Sequence, residues 1–391
     1  MPPAQRLPTL IVGGGIGGLT AALALSRSGH RVHVIEKSAE FVEIGAGLQL
    51  APNALHVLDE LGLMAELGKE AVFPARLQWM DALTAKPITA VDLGAEFRRR
   101  YGQPYIVMHR GDLLAALLAA CRAETRITLE AGRELVAIED LGEAVRARCS
   151  DGTVYEAEIL IGADGLHSVV RRSLSDDAPV CDGCVAYRGT LPMAEMSTHA
   201  GLDNVVMWVG PRMHFVQYPL RRGELYNQVA VFQSPRYAPG VEEWGTVEEL
   251  DAHYAQTCDY IRGCITLMWR DRHWEMFDRK PLARWTRNRI TLTGDAAHPM
   301  YQYIAQGACQ AIEDGLSLAR HLAAAPADPA GALRAYEKAR LLRTARVQLT
   351  ARAMGAFFHL EGIAATVRNE MMASRRAEDY APLDWLYGHR V

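Results

Sequence analysis

Several features that commonly decide a protein's class are missing from this sequence. None of its 391 residues belong to an apolar run near the roughly 20 positions that a membrane span requires. Met1-Pro2-Pro3-Ala4-Gln5-Arg6 lacks the basic-then-apolar order of a signal peptide, so a cytoplasmic location is expected. There is no long basic run and the formal net charge is −4, which argues against nucleic acid as a partner. Seven cysteines, odd in number and scattered, do not make a disulfide framework. Cys181-Asp182-Gly183-Cys184 has the C-x-x-C form, but no second pair stands at zinc spacing, and the match reads as incidental. Thirteen histidines form no H-E-x-x-H cluster, so metal catalysis is not expected either. What remains is an ordinary globular composition, 49% hydrophobic and 23% charged. The length suggests about two to three domains.

What is present begins at the N-terminus. Leu7 to Val12 reads as a short buried strand, and Gly13-Gly14-Gly15-Ile16-Gly17-Gly18 follows it. Leu19 to Arg27 is a helix rich in Ala and Leu, stopped near Ser28-Gly29, and Arg31 to Ile35 is a second strand ending in Glu36. This strand–turn–helix–strand unit of about 30 residues lifts G-x-G-x-x-G above a chance match and marks a dinucleotide site. Gly13 permits the tight turn, Gly15 leaves room for a pyrophosphate, and Gly18 lets helix and strand pack closely. Glu36 is placed to accept hydrogen bonds from ribose hydroxyls.

Such a unit serves NAD or FAD equally, and two later segments separate them. Ile159-Leu160-Ile161-Gly162-Ala163-Asp164-Gly165 is an apolar strand delivering Asp164 at its carboxyl end. Arg289 to Thr293 is another, ending in Gly294-Asp295-Ala296-Ala297-His298-Pro299. Carboxyl ends of parallel strands form the crevice where such sheets bind ligands. These motifs, in this order, resemble those of the single-component FAD-dependent aromatic hydroxylases, and the resemblance covers essentially the whole chain. Within the family, the nearer likeness is to the 3-hydroxybenzoate 6-hydroxylases, with salicylate hydroxylases more distant. It is carried by Val42 to Gln49, Met213 to Pro219, Tyr301-Gln302-Tyr303 and Asp384 to Gly388.

The resemblance implies an α/β fold: a Rossmann-like discontinuous FAD-binding domain, a smaller β-sheet substrate domain and a C-terminal helical region. The FAD-binding parts are expected at 1–75, 105–180 and 281–331, the substrate parts at 76–104 and 181–280, and the helical region at 332–391. FAD is expected to be tightly bound, with Asp295 on its ribityl chain and Arg110 also in contact. Asp164 would serve both FAD and the pyridine nucleotide. No second dinucleotide fingerprint is present, so NADH is expected as a transient co-substrate. The helix opened by Gln306-Gly307-Ala308 would turn its positive end toward the flavin, where reduced flavin carries negative charge.

Between about Cys181 and Lys280 the pattern becomes strand-like, with segments at Val206–Val209, His214–Leu220 and Leu225–Phe232. Arg221-Arg222-Gly223-Glu224 is a hairpin loop. Alternation puts His214, Val216 and Tyr218 on one face and Met213, Phe215 and Gln217 on the other. By resemblance, His214, Tyr218 and Gln302 contact a phenolic substrate, and Tyr105 is a further candidate for that pocket. His214, with an ordinary pKa near neutrality, would receive or relay the phenol proton. The expected reaction is insertion of one oxygen atom of O₂ into a phenolic carboxylate, converting 3-hydroxybenzoate to gentisate (2,5-dihydroxybenzoate).

Salicylate, a hydroxypyridine carboxylate or another phenol stays open as substrate. A flavin-binding redox sensor without turnover and a plain NAD-dependent dehydrogenase are readings of other classes. Arg98-Arg99-Arg100 reads as a solvated charge run. The helix from about Ala332 to at least Ala351 has an apolar face including Val347, Leu349 and Met354, suited to capping the site or to a homodimer interface.

Overall fold

The computed structural model describes residues 5–42, 45–196 and 203–391. The opening apolar segment forms β1 (Gln5–Val12), and the Ala- and Leu-rich stretch forms α1 (Ile16–Arg27), buried along almost its whole length. Next come β2 (Val32–Ile35), β3 (Gly47–Leu50), β4 (Arg76–Asp81), β5 (Pro87–Asp92) and β6 (Ile106–His109). After α2 (Arg110–Ala123) the chain makes β7 (Ile127–Glu130), β8 (Leu135–Asp140), β9 (Val145–Cys149) and β10 (Val154–Gly162). Then follow β11 (Val180–Pro192), β12 (Val205–Gly210), β13 (Met213–Leu220), β14 (Leu225–Gln233), β15 (His273–Asp278) and β16 (Ile290–Leu292). Two long helices, α3 (Gly307–Ala324) and α4 (Pro329–Phe358), come after the last strand.

One sheet has the order β7-β2-β1-β10-β9-β8, with β16 also pairing β10. β7, β2, β1, β10 and β16 run parallel, so their carboxyl ends share one edge. Val12 pairs with Gly162, and Gly162 with Leu292. Three loops far apart in sequence, those at Gly13, Ala163 and Thr293, therefore leave from adjacent points. That convergence is what the sheet contributes to a site.

The second sheet has the order β15-β11-β14-β13-β12-β4-β5, antiparallel except where β12 meets β4. Met213 and Phe215 pack into a core with Trp208 and Tyr254, while His214, Val216 and Tyr218 face the other way. Strand period two accounts for the split. The β13–β14 hairpin is tied to the nucleotide-type part through Arg221, whose guanidinium donates to Asp112 on α2 at 3.0 and 3.1 Å.

α4 begins three residues before the expected boundary, where Asp328 accepts from the Gly331 N–H at 2.8 Å. It packs on α3 rather than standing apart, and its buried stripe runs Val347, Ala351, Gly355, Phe358. Leu349, read as part of the apolar face, is instead 55% exposed. It sits two residues from Val347, about 200° around the helix, so both cannot face the core. Cys181 and Cys184 are free thiols at a bulge in β11. Among the described residues no helix is long and apolar enough to cross a membrane, and no cluster has metal-ligand character.

Candidate active site

A cavity of about 820 Å³ lies between the shared edge of the parallel sheet and the inner face of the second sheet. The glycine turn forms one end. Gly13 has φ +108°, and a Cβ there would stand 2.3 Å from the Ala163 carbonyl oxygen. A Cβ on Gly18 would stand 2.0 Å from the Gly13 oxygen. Gly13 and Gly18 thus serve packing and do not line the cavity. Gly15 differs: a Cβ there meets nothing within 4 Å, and its backbone faces the open space. This is the kind of cradle a pyrophosphate fills.

Glu36 sits behind the turn, where one carboxylate oxygen accepts from the Gly14 N–H at 2.8 Å and the other from Ser38 at 2.9 Å. Asp164 is directed elsewhere than its strand-end position suggests. Its carboxylate accepts from the Ser168 hydroxyl at 2.5 Å and from the N–H groups of Val169 and Val170, capping the turn that follows. The cavity is lined by its neighbours Ala163 and Gly165 instead. A short polar side chain next to a helical turn is drawn to the free N–H groups there. Burial raises the Asp164 pKa, with those hydrogen bonds opposing the shift.

Arg110, Asp295, Gly307 and Ala308 all line the cavity. Asp295 is exposed at the cavity, and among the described residues no donor bonds to its carboxylate. The α3 N-terminus carries no acidic residue in its first turn and no capping side chain. Its N–H groups and the positive end of an 18-residue helix are left for a ligand. Glycine cradle, free acid, arginine and open helix end together suit an extended, pyrophosphate-bearing flavin nucleotide.

The loop carrying Asp295 is held from beneath. Asp314 accepts from the Gly294 N–H at 2.9 Å, from His298 Nε2 at 2.6 Å and from Arg340 Nε at 2.7 Å. Glu313 accepts from Asn53 and from Arg343 at 2.6 Å and pairs with Arg340. Burial opposes both charges, yet their cationic neighbours hold each carboxyl down to about 2. Glu313 and Asp314 were legible only as polar residues in a helix. Arg340 and Arg343 lie 26 to 30 residues away on α4, and no local pattern announces the pairing.

The far end of the cavity belongs to the second sheet. His214, Tyr218, Gln302 and Tyr105 all line it. The Tyr105 hydroxyl donates to Gln49 at 2.6 Å, and burial pushes its pKa well up. The Tyr218 ring lies over Gly47, where a Cβ would come within 2.4 Å of the ring. Burial also raises the Tyr218 pKa, so it stays a neutral donor. His214 is 2% exposed, and its Nδ1 lies 2.8 Å from Nε2 of His359 at the end of α4. Burial lowers the His214 pKa well below its ordinary value, so it is a neutral imidazole.

Arg188, on β11, was not singled out from the sequence. It opens onto the cavity and donates to Gln302 Oε1 at 2.9 Å, with its guanidinium over Trp274. Among the described residues its Nε has no hydrogen-bond partner and no carboxylate pairs with it. Burial lowers its pKa, and Arg110 adds to this. A lone arginine inside the apolar run Val185-Ala186-Tyr187-Arg188-Gly189 was the available signal. A buried cation without a protein counter-charge calls for an anionic ligand.

A family description, FAD binding domain, matches residues 6–351. The chain belongs to this family. The 3-hydroxybenzoate 6-hydroxylase 1 of Aquipseudomonas alcaligenes is 40% identical over 385 residues, covering 97% of each chain. The 3-hydroxybenzoate 6-hydroxylase of Klebsiella oxytoca is 39% identical over 390 residues, covering 98% of this chain and 97% of the other. The structure of Klebsiella pneumoniae HpxO complexed with FAD and uric acid superposes with a TM-score of 0.85 at 24% identity, covering 97% of this chain and 96% of that one. That last likeness is one of fold. The protein is a single-component FAD-dependent aromatic hydroxylase, and FAD is its cofactor. Val42 to Gln49, one segment carrying the sequence resemblance, includes Glu43 and Ile44, which lie outside the described residues.

Proposed function

We propose that this hydroxylase converts 3-hydroxybenzoate to gentisate, using NADH and O₂. The observation that carries the anionic phenol as substrate is Arg188, a cavity arginine with no carboxylate partner among the described residues, set beside His214, Tyr218 and Gln302. The hydroxybenzoate named for both relatives has the two groups this wall requires, a carboxylate and a phenol.

The chemistry that bound FAD would supply is electron transfer from NADH and activation of O₂; the chain supplies position, polarity and exclusion of water. Gly15 and the α3 N-terminus at Gly307 and Ala308 would hold its phosphates and ring, with Arg110 and Asp295 on the linking chain. Gly13, Gly18, Glu36 and Asp164 would keep the surrounding loops in place. Arg188 takes the substrate carboxylate, and Tyr218 and Gln302 orient the ring by hydrogen bonding. His214 accepts the phenol proton, since loss of that proton enriches the ring carbons ortho and para to the oxygen. Tyr105, held by Gln49, closes one side of the pocket. The cytoplasm as location and a homodimer as assembly belong to the same reading.

Substrate-stimulated NADH oxidation across hydroxybenzoates and their decarboxylated phenols tests the substrate. Stimulation by 3-hydroxybenzoate, with none by phenol, is expected; the reverse order contradicts the proposal. His214→Ala is expected to lower kcat about 100-fold while retaining FAD, and unchanged turnover in that variant removes its role. Asp295→Ala is expected to lose flavin on gel filtration, read as the flavin-to-protein absorbance ratio. A variant as yellow as wild type contradicts that assignment.

A further inference from the structure

His214 and His359 belong to two different cavities. His214 lines the inner one, while His359 lines a second of about 770 Å³ together with Arg212, Asp182, Arg352 and Glu361. The second cavity is the more open. Among the described residues only Tyr303 lines both, its ring 5.4 Å from His214 and 5.7 Å from His359. The two imidazoles share one hydrogen bond of 2.8 Å between Nδ1 of His214 and Nε2 of His359. Among the described residues no carboxylate bonds to either ring. An imidazole accepts at one nitrogen and releases from the other, so a pair joined in this way is a path with two ends.

We infer that His359 is the exit residue of a two-histidine proton relay, which carries the phenol proton from the substrate cavity to the outer one. The inference rests on the reading of the inner cavity as a phenol site. The phenol O–H breaks as its proton bonds to His214 Nε2. The Nδ1 proton of His214 passes to His359 Nε2, and the Nδ1 proton of His359 leaves to water in the outer cavity. One proton enters and one leaves, and the substrate becomes the phenolate. A proton returning along the pair when the product re-forms its hydroxyl restores the starting tautomers.

The surroundings explain why a relay is needed. His214 is packed between the rings of Tyr303 and Phe358, where an imidazolium is poorly solvated. His359 is held low, to about 3, by burial and by His253 and Arg368. Neither ring stores a proton at neutral pH, and each serves only to pass it. His359 does not touch the substrate, so it acts through His214.

Two variants test this in the FAD-loaded enzyme. His359→Gln keeps a hydrogen-bonding group beside His214 but cannot pass a proton on. It is expected to lower kcat about tenfold or more, with KM for 3-hydroxybenzoate and FAD content near wild type. His359→Gly leaves a gap open to the outer cavity, and added imidazole is expected to restore most of the lost rate. 1-Methylimidazole fills the same gap but has no N–H to release, so it is expected to restore none. Wild-type kcat in His359→Gln, or equal rescue by both compounds, overturns the relay. If His359→Gly does not fold, the Gln variant decides alone. Wild-type enzyme that leaves hydroxybenzoates unchanged removes substrate and relay together, whereas an active wild type with unaffected variants removes the relay only.

Discussion

Replacing Arg188 with methionine is expected to raise KM for 3-hydroxybenzoate by about 10- to 100-fold, because a charge-assisted hydrogen bond contributes about 1.5–3 kcal/mol. Methionine keeps much of the side-chain length and apolar stem, so the substitution removes mainly the charge and its donors. Gln302 loses its partner at Oε1 but remains on the cavity wall. Arg188→Lys should fall between the two, since an ammonium keeps the charge without the planar fork. The discriminating control is a phenol lacking the carboxylate. Its weak binding should be nearly the same in wild type and Arg188→Met, because it never used the guanidinium. A KM for 3-hydroxybenzoate within about twofold of wild type would place the carboxylate elsewhere.

The second large effect is expected far from the substrate. Asp314→Asn should destabilise the fold by about 3–5 kcal/mol, the range for breaking a buried charge pair. It should also shed FAD. The carboxylate accepts from Gly294, His298 and Arg340, whereas an asparagine turns an NH₂ group toward at least one of these donors. Gly294 is held at φ +56° in the turn that presents Asp295, so the damage reaches the cavity through that turn. Denaturant midpoints and the flavin-to-protein absorbance ratio measure the two consequences. A variant that keeps both would leave the cluster without its assigned role.

The same cluster sets an acid limit. Glu313 and Asp314 are each held down to about 2, below the ordinary values near 4 that the unfolded chain regains. Depressed carboxyl pKa values mean that the unfolded state binds more protons as pH falls. The stabilisation is therefore whole above about pH 5 and drains away toward about pH 2. Asp314→Asn removes one such group, so its stability should fall less steeply through that window. Unfolding midpoints across the acid range check the slope.

Much of this arrangement was legible in the sequence because it depends on local rules. The glycine turn between an apolar strand and an Ala-rich helix needs only neighbouring residues to be read. The alternation His214, Val216, Tyr218 places three side chains on one wall by strand geometry alone. Residue type at a strand end did not fix direction, however. Asp295 lines the cavity while Asp164 caps the turn after it, and the difference lies in Ser168 and the N–H groups of Val169 and Val170. Pairings across distance were out of reach for the same reason. His214 meets His359 across 145 residues, and Arg188 meets Gln302 across 114. Such contacts follow from how the sheets and α4 dock, and no periodicity encodes them.

Hydroxylation of 3-hydroxybenzoate by this enzyme is read out by supplying wild-type protein with that substrate, NADH and isotopically heavy O₂, and identifying the product by mass. Gentisate carrying one heavy oxygen atom, formed in step with NADH consumed, is expected. A different dihydroxybenzoate, or NADH consumption that yields only hydrogen peroxide with the substrate returned intact, would contradict it.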